Sequence, residues 1–524
     1  MGTRRPAWRR FAVAVSILAV ALLSAGALAY GYREQIKGFV GHDQREQVKA
    51  LGETTWNAMV ALRPIDDQRR VGADDGAPSI LLVLLDTCRA DKLGSNGFER
   101  DTTPALDELA SDPDAVTFLN HYVQASWTKP SVASIFTGLF PSDHGVVTGV
   151  RETTESASQG RYRTQVLSPE AVTIAEVLGD AGYYTFAVLS PHHLGAEYGF
   201  DQGFAEYHGI TSWPGGDRQR LNTATALIDA TEGKFFGFVH LLGCHAPFEP
   251  RHRSADYMAT YGFEYDEAAR RQAGVDFTDS AIKSLVNSGE QELTDEDVRF
   301  LHLLYEAKLR WVDEELIRPL IQTLKDTGRY DDTLIVVTAD HGEELYEHGG
   351  LAHGHALWNE LIHVPLIAKF PKGQRPEQLE ARVGALTRGV DLYPSLTAFA
   401  GLPSPRGLRG VAALQGVFAN HALAEEPRDC VPENLKSCRF ERALITDRFK
   451  LIARPGEGPL LFDLASDRAE RRSLAGKRPQ LVAHMRGGLT DVVKADVVKV
   501  TAPTVSTKLS EEKLDELRGL GYIQ

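Results

Sequence analysis

Four apolar runs, Ser79 to Asp86, Tyr183 to Ser190, Phe235 to Gly243 and Thr333 to Asp340, each lead into metal-seeking or charged side chains. Those side chains are Asp86, the His192/His193 pair, His245 and the Asp340/His341 pair. Runs of this length, rich in Val, Leu, Ile and Phe and followed by helix-like segments, predict buried strands of a parallel sheet. In such a sheet the ligand crevice lies at the carboxyl ends of the strands. Carboxylates and imidazoles gathered there from distant parts of the chain predict a metal centre, and a metal centre predicts an enzyme.

With 524 residues, 43% hydrophobic and 24% charged, the chain has material for one large α/β domain and a smaller appendage. A formal net charge of −14 argues against nonspecific nucleic-acid binding, so no nucleic-acid partner is expected. Arg4, Arg5, Arg9 and Arg10 precede an apolar stretch from Phe11 to about Ala29, about the length that crosses a bilayer. The basic flank predicts a bacterial-type inner-membrane anchor over residues 1–32, with everything beyond it periplasmic or extracellular. A cleaved signal peptide ending near Ala27-Leu28-Ala29 is the rival reading. Cys430 and Cys438 are close enough in sequence to pair, whereas Cys88 and Cys244 read as small buried apolar side chains.

Residues 33–78 read as a linker closed by Gly72, Gly76 and Pro78, and the main domain as 79–405. Thr103-Pro104 opens a short helix, and helical patterns over 173–178 and 218–231 alternate with the strands. The polar, aperiodic segment 252–292 reads as an insertion over the active face that selects the substrate's alcohol part. A long helix is predicted from Thr294, its cap, to about Lys325, with Pro319 kinking or dividing it. Strand-like Arg442–Ile445, Lys450–Ala453 and Leu460–Phe462 predict an antiparallel subdomain over 406–480. The tail, 481–524, is expected to carry a short amphipathic helix capped by Ser510 and stopped by Gly519.

Thr128 stands just before a helix start marked by Pro130, where a hydroxyl faces unpaired backbone N–H groups and the positive end of the helix. That place suits an anionic ester; a plain helix cap is the alternative. An alcohol becomes a nucleophile at neutral pH only with a base or a metal beside it. Asp86, Asp340 and His341 are expected to hold one divalent cation, with the Thr128 oxygen as a further ligand. Two carboxylates and an imidazole favour Zn²⁺ or Mn²⁺, with Ca²⁺ or Mg²⁺ as alternatives. Lys129, next in the chain, is a candidate to attract an anionic substrate.

Several motifs, in order, carry a resemblance: Leu85-Asp86-Thr87-Cys88-Arg89-Ala90-Asp91, Thr102-Thr103-Pro104, Trp127 to Ser131, Thr137-Gly138 and Cys244-His245-Ala246-Pro247-Phe248. Asp340-His341-Gly342-Glu343, His353-Gly354-His355, Leu357-Trp358-Asn359-Glu360 and Leu461-Phe462-Asp463-Leu464 continue it. Together they resemble the sulfatase-like branch of the alkaline phosphatase superfamily over almost everything from Ser79 onward. The resemblance implies an alkaline phosphatase-like α/β fold, a doubly wound, mostly parallel sheet with a small C-terminal α+β subdomain. It also implies that His245 contacts the transferred group, that His353 protonates the leaving group or binds the anion, and that His355 competes for that role.

Sulfatases of the standard kind convert a Cys or Ser to formylglycine, with an Ala or Pro two residues on and an Arg two further. Here those places hold Thr128, Pro130 and Val132. The methyl group on its Cβ prevents Thr from becoming that aldehyde, and the supporting Arg is missing. The resemblance then implies kinship with relatives that use Thr on phosphate esters: nucleotide phosphodiesterases and transferases of phosphoglycerol and phosphoethanolamine. The reading is a metal-dependent hydrolase or phosphotransferase at the cell envelope, acting on an anionic ester of a lipid or envelope glycan through a covalent Thr128 intermediate. The alternatives are a sulfuric ester hydrolase without formylglycine and a catalytically lapsed envelope binding protein.

Overall fold

The computed structural model describes residues 71–149, 151–152, 161–210, 216–248, 252–428, 430, 438–495, 499–500 and 502–508. In chain order its principal elements begin with β1 (Ser79–Leu85), α1 (Pro104–Ala110), β2 (Ala115–Tyr122), α2 (Thr128–Thr137), α3 (Ile174–Asp180), β3 (Tyr184–Leu189), β4 (Glu206–Gly209), α4 (Gly216–Ala230) and β5 (Phe235–Leu241). They continue with α5 (Ala281–Asn287), α6 (Asp295–Val312), α7 (Arg318–Asp326), β6 (Thr333–Thr338), β7 (His363–Val364), β8 (Leu366–Lys369), β9 (Arg382–Arg388) and α8 (Leu392–Phe399). The C-terminal group is β10 (Ala422–Arg428), β11 (Arg439–Ile445), β12 (Phe449–Ala453), β13 (Leu460–Asp463) and α9 (Pro479–Lys494).

The four apolar runs are four adjacent strands, in the order β6-β1-β5-β3, all parallel, with β4 at the edge. Every residue of β1 is buried, because helices cover both faces of the sheet. Its alternate side chains divide accordingly: Leu81, Val83 and Leu85 enter one core, Ile80, Leu82 and Leu84 the other. On the far side β8 runs antiparallel between β6 and β2, and β9 closes that edge parallel to β2. The fold is therefore α/β with a mostly parallel central sheet. A separate antiparallel sheet, β10-β11-β12-β13, follows it, and Val482, Met485 and Leu489 of α9 pack with Leu444, Leu451 and Leu461 of its strands. Cys430 and Cys438 form a disulfide beside that sheet, while Cys88 and Cys244 are free and buried.

The apolar stretch 11–29, the linker up to residue 70 and the Ser510 helix lie outside the described residues. Among the described residues no helix is long and apolar enough to cross a membrane. This overturns the inner-membrane anchor and, with it, the periplasmic or extracellular location inferred from it. Spanning a bilayer requires a helix of about 20 apolar residues, and none is found among the described residues.

The segment 252–292 is not irregular: it forms three short helices, Ala255–Tyr261, Glu267–Gln272 and α5. The long helix is capped by Thr294, whose hydroxyl accepts from Asp297 N while Asp297 answers the Thr294 N–H. It runs on through one π-helical stretch, Asp313–Ile317, into α7, where Pro319 sits in the first turn.

Asp313 explains how α1 is capped, because Thr103 makes no capping bond. The Asp313 carboxylate accepts the N–H groups of Ala105 (2.6 Å) and Leu106 (2.9 Å) from across the chain. Asp313→Ala is expected to cost about 2 kcal/mol or more, since two buried amides lose their partner. Burial pushes this carboxyl up to about 7 despite the two donors. The folded chain then holds a proton that the unfolded chain releases between about pH 4 and 7, so this contribution is whole below that window and lost through it. Asp313→Asn cannot titrate, so urea melts should show a larger destabilisation at about pH 5 than at about pH 8.

Candidate functional site

The carboxyl ends of β1 and β6 lie side by side, because Leu84 pairs with Thr338. Asp86 follows β1, and Asp340 and His341 follow β6, so three side chains from distant segments meet at the crevice. Each offers a ligand atom, and these atoms lie within 4.8 Å of one another. All three residues are at most 1% exposed. The backbone is shaped for this. A Cβ on Gly342 would lie 1.9 Å from the Glu360 carbonyl oxygen, so only glycine lets the chain pass there. Thr87 adopts φ 60°, an uncommon conformation for a β-branched residue, and its carbonyl is held by Tyr305 Oη at 2.8 Å.

Thr128 is the first residue of α2; the residue before the helix is Trp127, and no side chain caps it. The hydroxyl of Thr128 is instead 3.2 Å from His341 Nε2, with Asp340 close enough for the hydroxyl to influence its carboxyl. His341 Nδ1–H donates to the Gly342 carbonyl at 2.9 Å, which leaves Nε2 as the lone-pair nitrogen. That nitrogen is 3.5 Å from Asp86 Oδ1 and 3.4 Å from Asp340 Oδ2. The N-terminus of α2 is tied to β6 by Ser131, whose hydroxyl donates to the Asp340 carbonyl at 2.5 Å.

Among the described residues no hydrogen bond reaches either Asp86 oxygen or Asp340 Oδ2, although all are buried. Bare carboxylate oxygens in such a place are costly unless a cation is present. Burial, and then Asp86 beside it, push the Asp340 carboxyl up to about 6. Burial opposes ionisation of Asp86 too, but His240, His245 and His341 outweigh it and hold that carboxyl well below the usual range. The donor set, two carboxylates, one imidazole and a hydroxyl, fits a divalent cation.

His240 escapes a reading of strand ends, since it lies within an apolar run and looks like core. Its pairing opposite Leu84 brings Nε2 to 3.2 Å from Asp86 Oδ2. His240→Ala is expected to weaken divalent-metal affinity about 10- to 100-fold, as removal of an outer-sphere partner does, and calorimetric titration with Mn²⁺ or Zn²⁺ would show it.

His245 and His353 border the same group. The His353 ring is 4.3 Å from that of His341 and 5.0 Å from that of His245. Gly354 N–H on the Ser126 carbonyl (3.0 Å) places this loop against the segment before α2, and Glu343 Oε1 receives His353 Nδ1 at 2.9 Å. Burial lowers both rings, His353 well below the ordinary imidazole value. His355 turns the other way, with Nε2 2.6 Å from Glu344. His192 and His193 are buried, the latter edge-on to Trp127 at 5.7 Å. Arg89 binds Asp91 through two nitrogens, at 2.9 and 2.8 Å, and also holds the Glu343 carbonyl and the Glu347 carboxylate.

Lys129 does not join the group. One residue along a helix is a turn of roughly 100°, so its side chain leaves on another face. The ammonium donates to Thr164 Oγ1 (2.7 Å) and the Gln165 carbonyl (2.5 Å), over the Tyr198 ring, and burial lowers it to about 7. The expectation that Lys129 attracts substrate is corrected on these contacts.

The family model described as "Sulfatase" matches residues 78–402. The chain is 24% identical over 481 residues to the multifunctional alkaline phosphatase superfamily protein PehA of Trinickia caryophylli, covering 76% of this chain and 91% of that protein. It is 26% identical over 469 residues to arylsulfatase A of Homo sapiens, covering 76% and 83%. Among solved structures, the phosphonate monoester hydrolase of Agrobacterium radiobacter superposes with a TM-score of 0.60 at 21% identity, over 79% of this chain and 95% of that one. At that identity the likeness speaks for the fold.

Proposed function

The chain belongs to the sulfatase family of ester-hydrolysing enzymes, and from that premise we propose that it cleaves phosphate esters with Thr128 as the nucleophile. The observation that carries this reading is the Thr128 hydroxyl, 3.2 Å from His341 Nε2 and beside Asp86 and Asp340, three of whose four buried oxygens accept no hydrogen bond among the described residues, in the place where standard sulfatases carry formylglycine. A secondary alcohol there can attack directly but cannot become the aldehyde. The names of two relatives, a phosphonate monoester hydrolase and a multifunctional alkaline phosphatase superfamily protein, support phosphorus chemistry.

A divalent cation held by Asp86, Asp340, His341 and Thr128 would lower the pKa of the alcohol and balance charge on the transferred group. The chain's own residues do the rest. Thr128 Oγ1 attacks phosphorus in line, its proton passing to the neighbouring Asp340. The ester P–O bond breaks and a phosphothreonine forms. His245 and His353 are held neutral by burial, but an entering anion favours their protonated forms. One of them then gives its proton to the leaving alkoxide. In the second half the same imidazole takes a proton from water as water attacks the phosphothreonine; the Oγ1–P bond breaks, and Asp340 returns its proton to Thr128 Oγ1 as phosphate is released. An acceptor alcohol in place of water would complete a transfer.

Likeness to arylsulfatase A supports a second reading, a sulfate ester attacked directly by Thr128. Paired phosphate and sulfate esters of one alcohol separate the two. Intact-mass analysis of the Mn²⁺- or Zn²⁺-loaded protein should show an adduct from the phosphate partner, absent in Thr128→Ala. An adduct from the sulfate partner alone would reverse the assignment, and turnover without any Thr128 dependence would refute the nucleophile.

A further inference from the structure

A pocket adjoins the site through His245 and His353, which are part of its lining. Its far wall is built by the segment that precedes and forms α5, with Phe277 and Ile282, and faces Pro247, Phe248, Leu345 and Leu351. Resting on the function proposed above, we propose that this pocket receives the alcohol part of the ester, and that the alcohol is apolar, an alkyl or arylalkyl group rather than a sugar.

Three observations carry this. Position is the first: His245 and His353, the two candidates to protonate the departing oxygen, are themselves part of the pocket wall, so whatever leaves must leave into it. The second is the state of the polar groups. Asp279 accepts the Ala281 N–H at 2.9 Å, Glu343 takes His353 at 2.9 Å, and Glu344 takes His355 at 2.6 Å and the Gly350 N–H at 2.8 Å. Glu343 Oε2 accepts no hydrogen bond among the described residues, but beside its apolar surface the wall offers few free polar atoms to the hydroxyls of a sugar. Each hydroxyl buried without a partner weakens binding about tenfold. The third is the rest of the lining: Phe248, Phe277 and Leu351 are at most 6% exposed, held by the core, and so form a fixed apolar wall. Among the described residues the lining carries one lysine, Lys283, whose charge interacts with that of Glu343 and offsets the repulsion of an anionic ester by the wall carboxylates.

The test compares 3-phenylpropyl phosphate with glucose 6-phosphate, both esters of primary alcohols of similar acidity, on the Mn²⁺-loaded full chain, with methyl phosphate as the minimal substrate. We expect kcat/KM for the phenylpropyl ester to exceed that for the sugar ester at least about tenfold. Phe277→Ala should lower the phenylpropyl value about tenfold more than the methyl value, and Phe277→Leu should preserve the wild-type ratio. If Phe277→Ala fails to fold, shown by loss of methyl phosphate turnover and of its melting transition, the wild-type preference decides alone. Equal or better turnover of the sugar ester overturns this inference while leaving the phosphate-ester reading intact. No turnover of any phosphate ester removes that reading and this inference with it.

Discussion

Thr128→Val is expected to lower kcat/KM roughly 10⁴-fold or more, with a melting temperature close to that of the wild type. Val keeps the branched shape of Thr in a site that is 3% exposed, so packing along α2 is preserved and the hydroxyl is what is lost. Single knockouts of a nucleophile cost enzymes factors of this size because the remaining groups have nothing to activate. Thr128→Ser keeps the hydroxyl and should retain activity within about 100-fold, the loss reflecting a rotamer that Thr's branching no longer fixes. The two variants together discriminate nucleophile from helix cap. A cap would cost about 1 kcal/mol of stability on removal and spare catalysis. The structure already places Trp127, not Thr128, at the capping position. Steady-state rates on the phosphate ester that labels the protein, with calorimetric melting alongside, make the comparison. Val retaining rates within tenfold of the wild type would end the case for Thr128 chemistry.

The sequence showed the centre of the sheet because its strands are buried on both faces and so read as unbroken apolar runs. Asp86, Asp340 and His341 stood out because polar side chains that end such runs have few structural reasons to be there. The antiparallel side was less legible. β2 carries Thr117, Asn120 and His121 amid its apolar residues, and β8 is only four residues long after Pro365. His240 was hidden by its position inside a run, where only the register with β1 shows that it points at Asp86. The cap of α1 was illegible for a different reason: Asp313 lies 208 residues from Ala105, and no local pattern reports a partner at that distance. Lys129 misled because adjacency in sequence is not adjacency on a helix. The pocket wall at Phe277 and Ile282 lies in a segment whose short helices have too few turns to show a period.

Removing divalent metal should destabilise the wild type and stabilise Asp340→Asn relative to it, and this reversal of sign is the second large effect expected. With free metal at about 100 times its dissociation constant, binding to the folded state alone contributes about 2.7 kcal/mol, so a chelator should lower the unfolding temperature measurably. In the stripped protein, burial and Asp86 act against an ionised Asp340, which receives no hydrogen bond at Oδ2. Asn has the same shape without the charge, so in chelator the variant should gain on the order of 1 kcal/mol over the wild type. In saturating metal the order should invert, because the variant has lost a charged ligand and binds the ion more weakly. Calorimetric melts of both proteins with Mn²⁺ or Zn²⁺ and with chelator give four transitions. Should Asp340→Asn be destabilised equally under both conditions, the carboxylate would be a structural acceptor, and the site would not be one built around a cation. Such a result would also remove the physical reason for leaving Asp86 and Asp340 buried side by side, since a pair of like charges persists in a core only when something between them reverses the sign of their interaction.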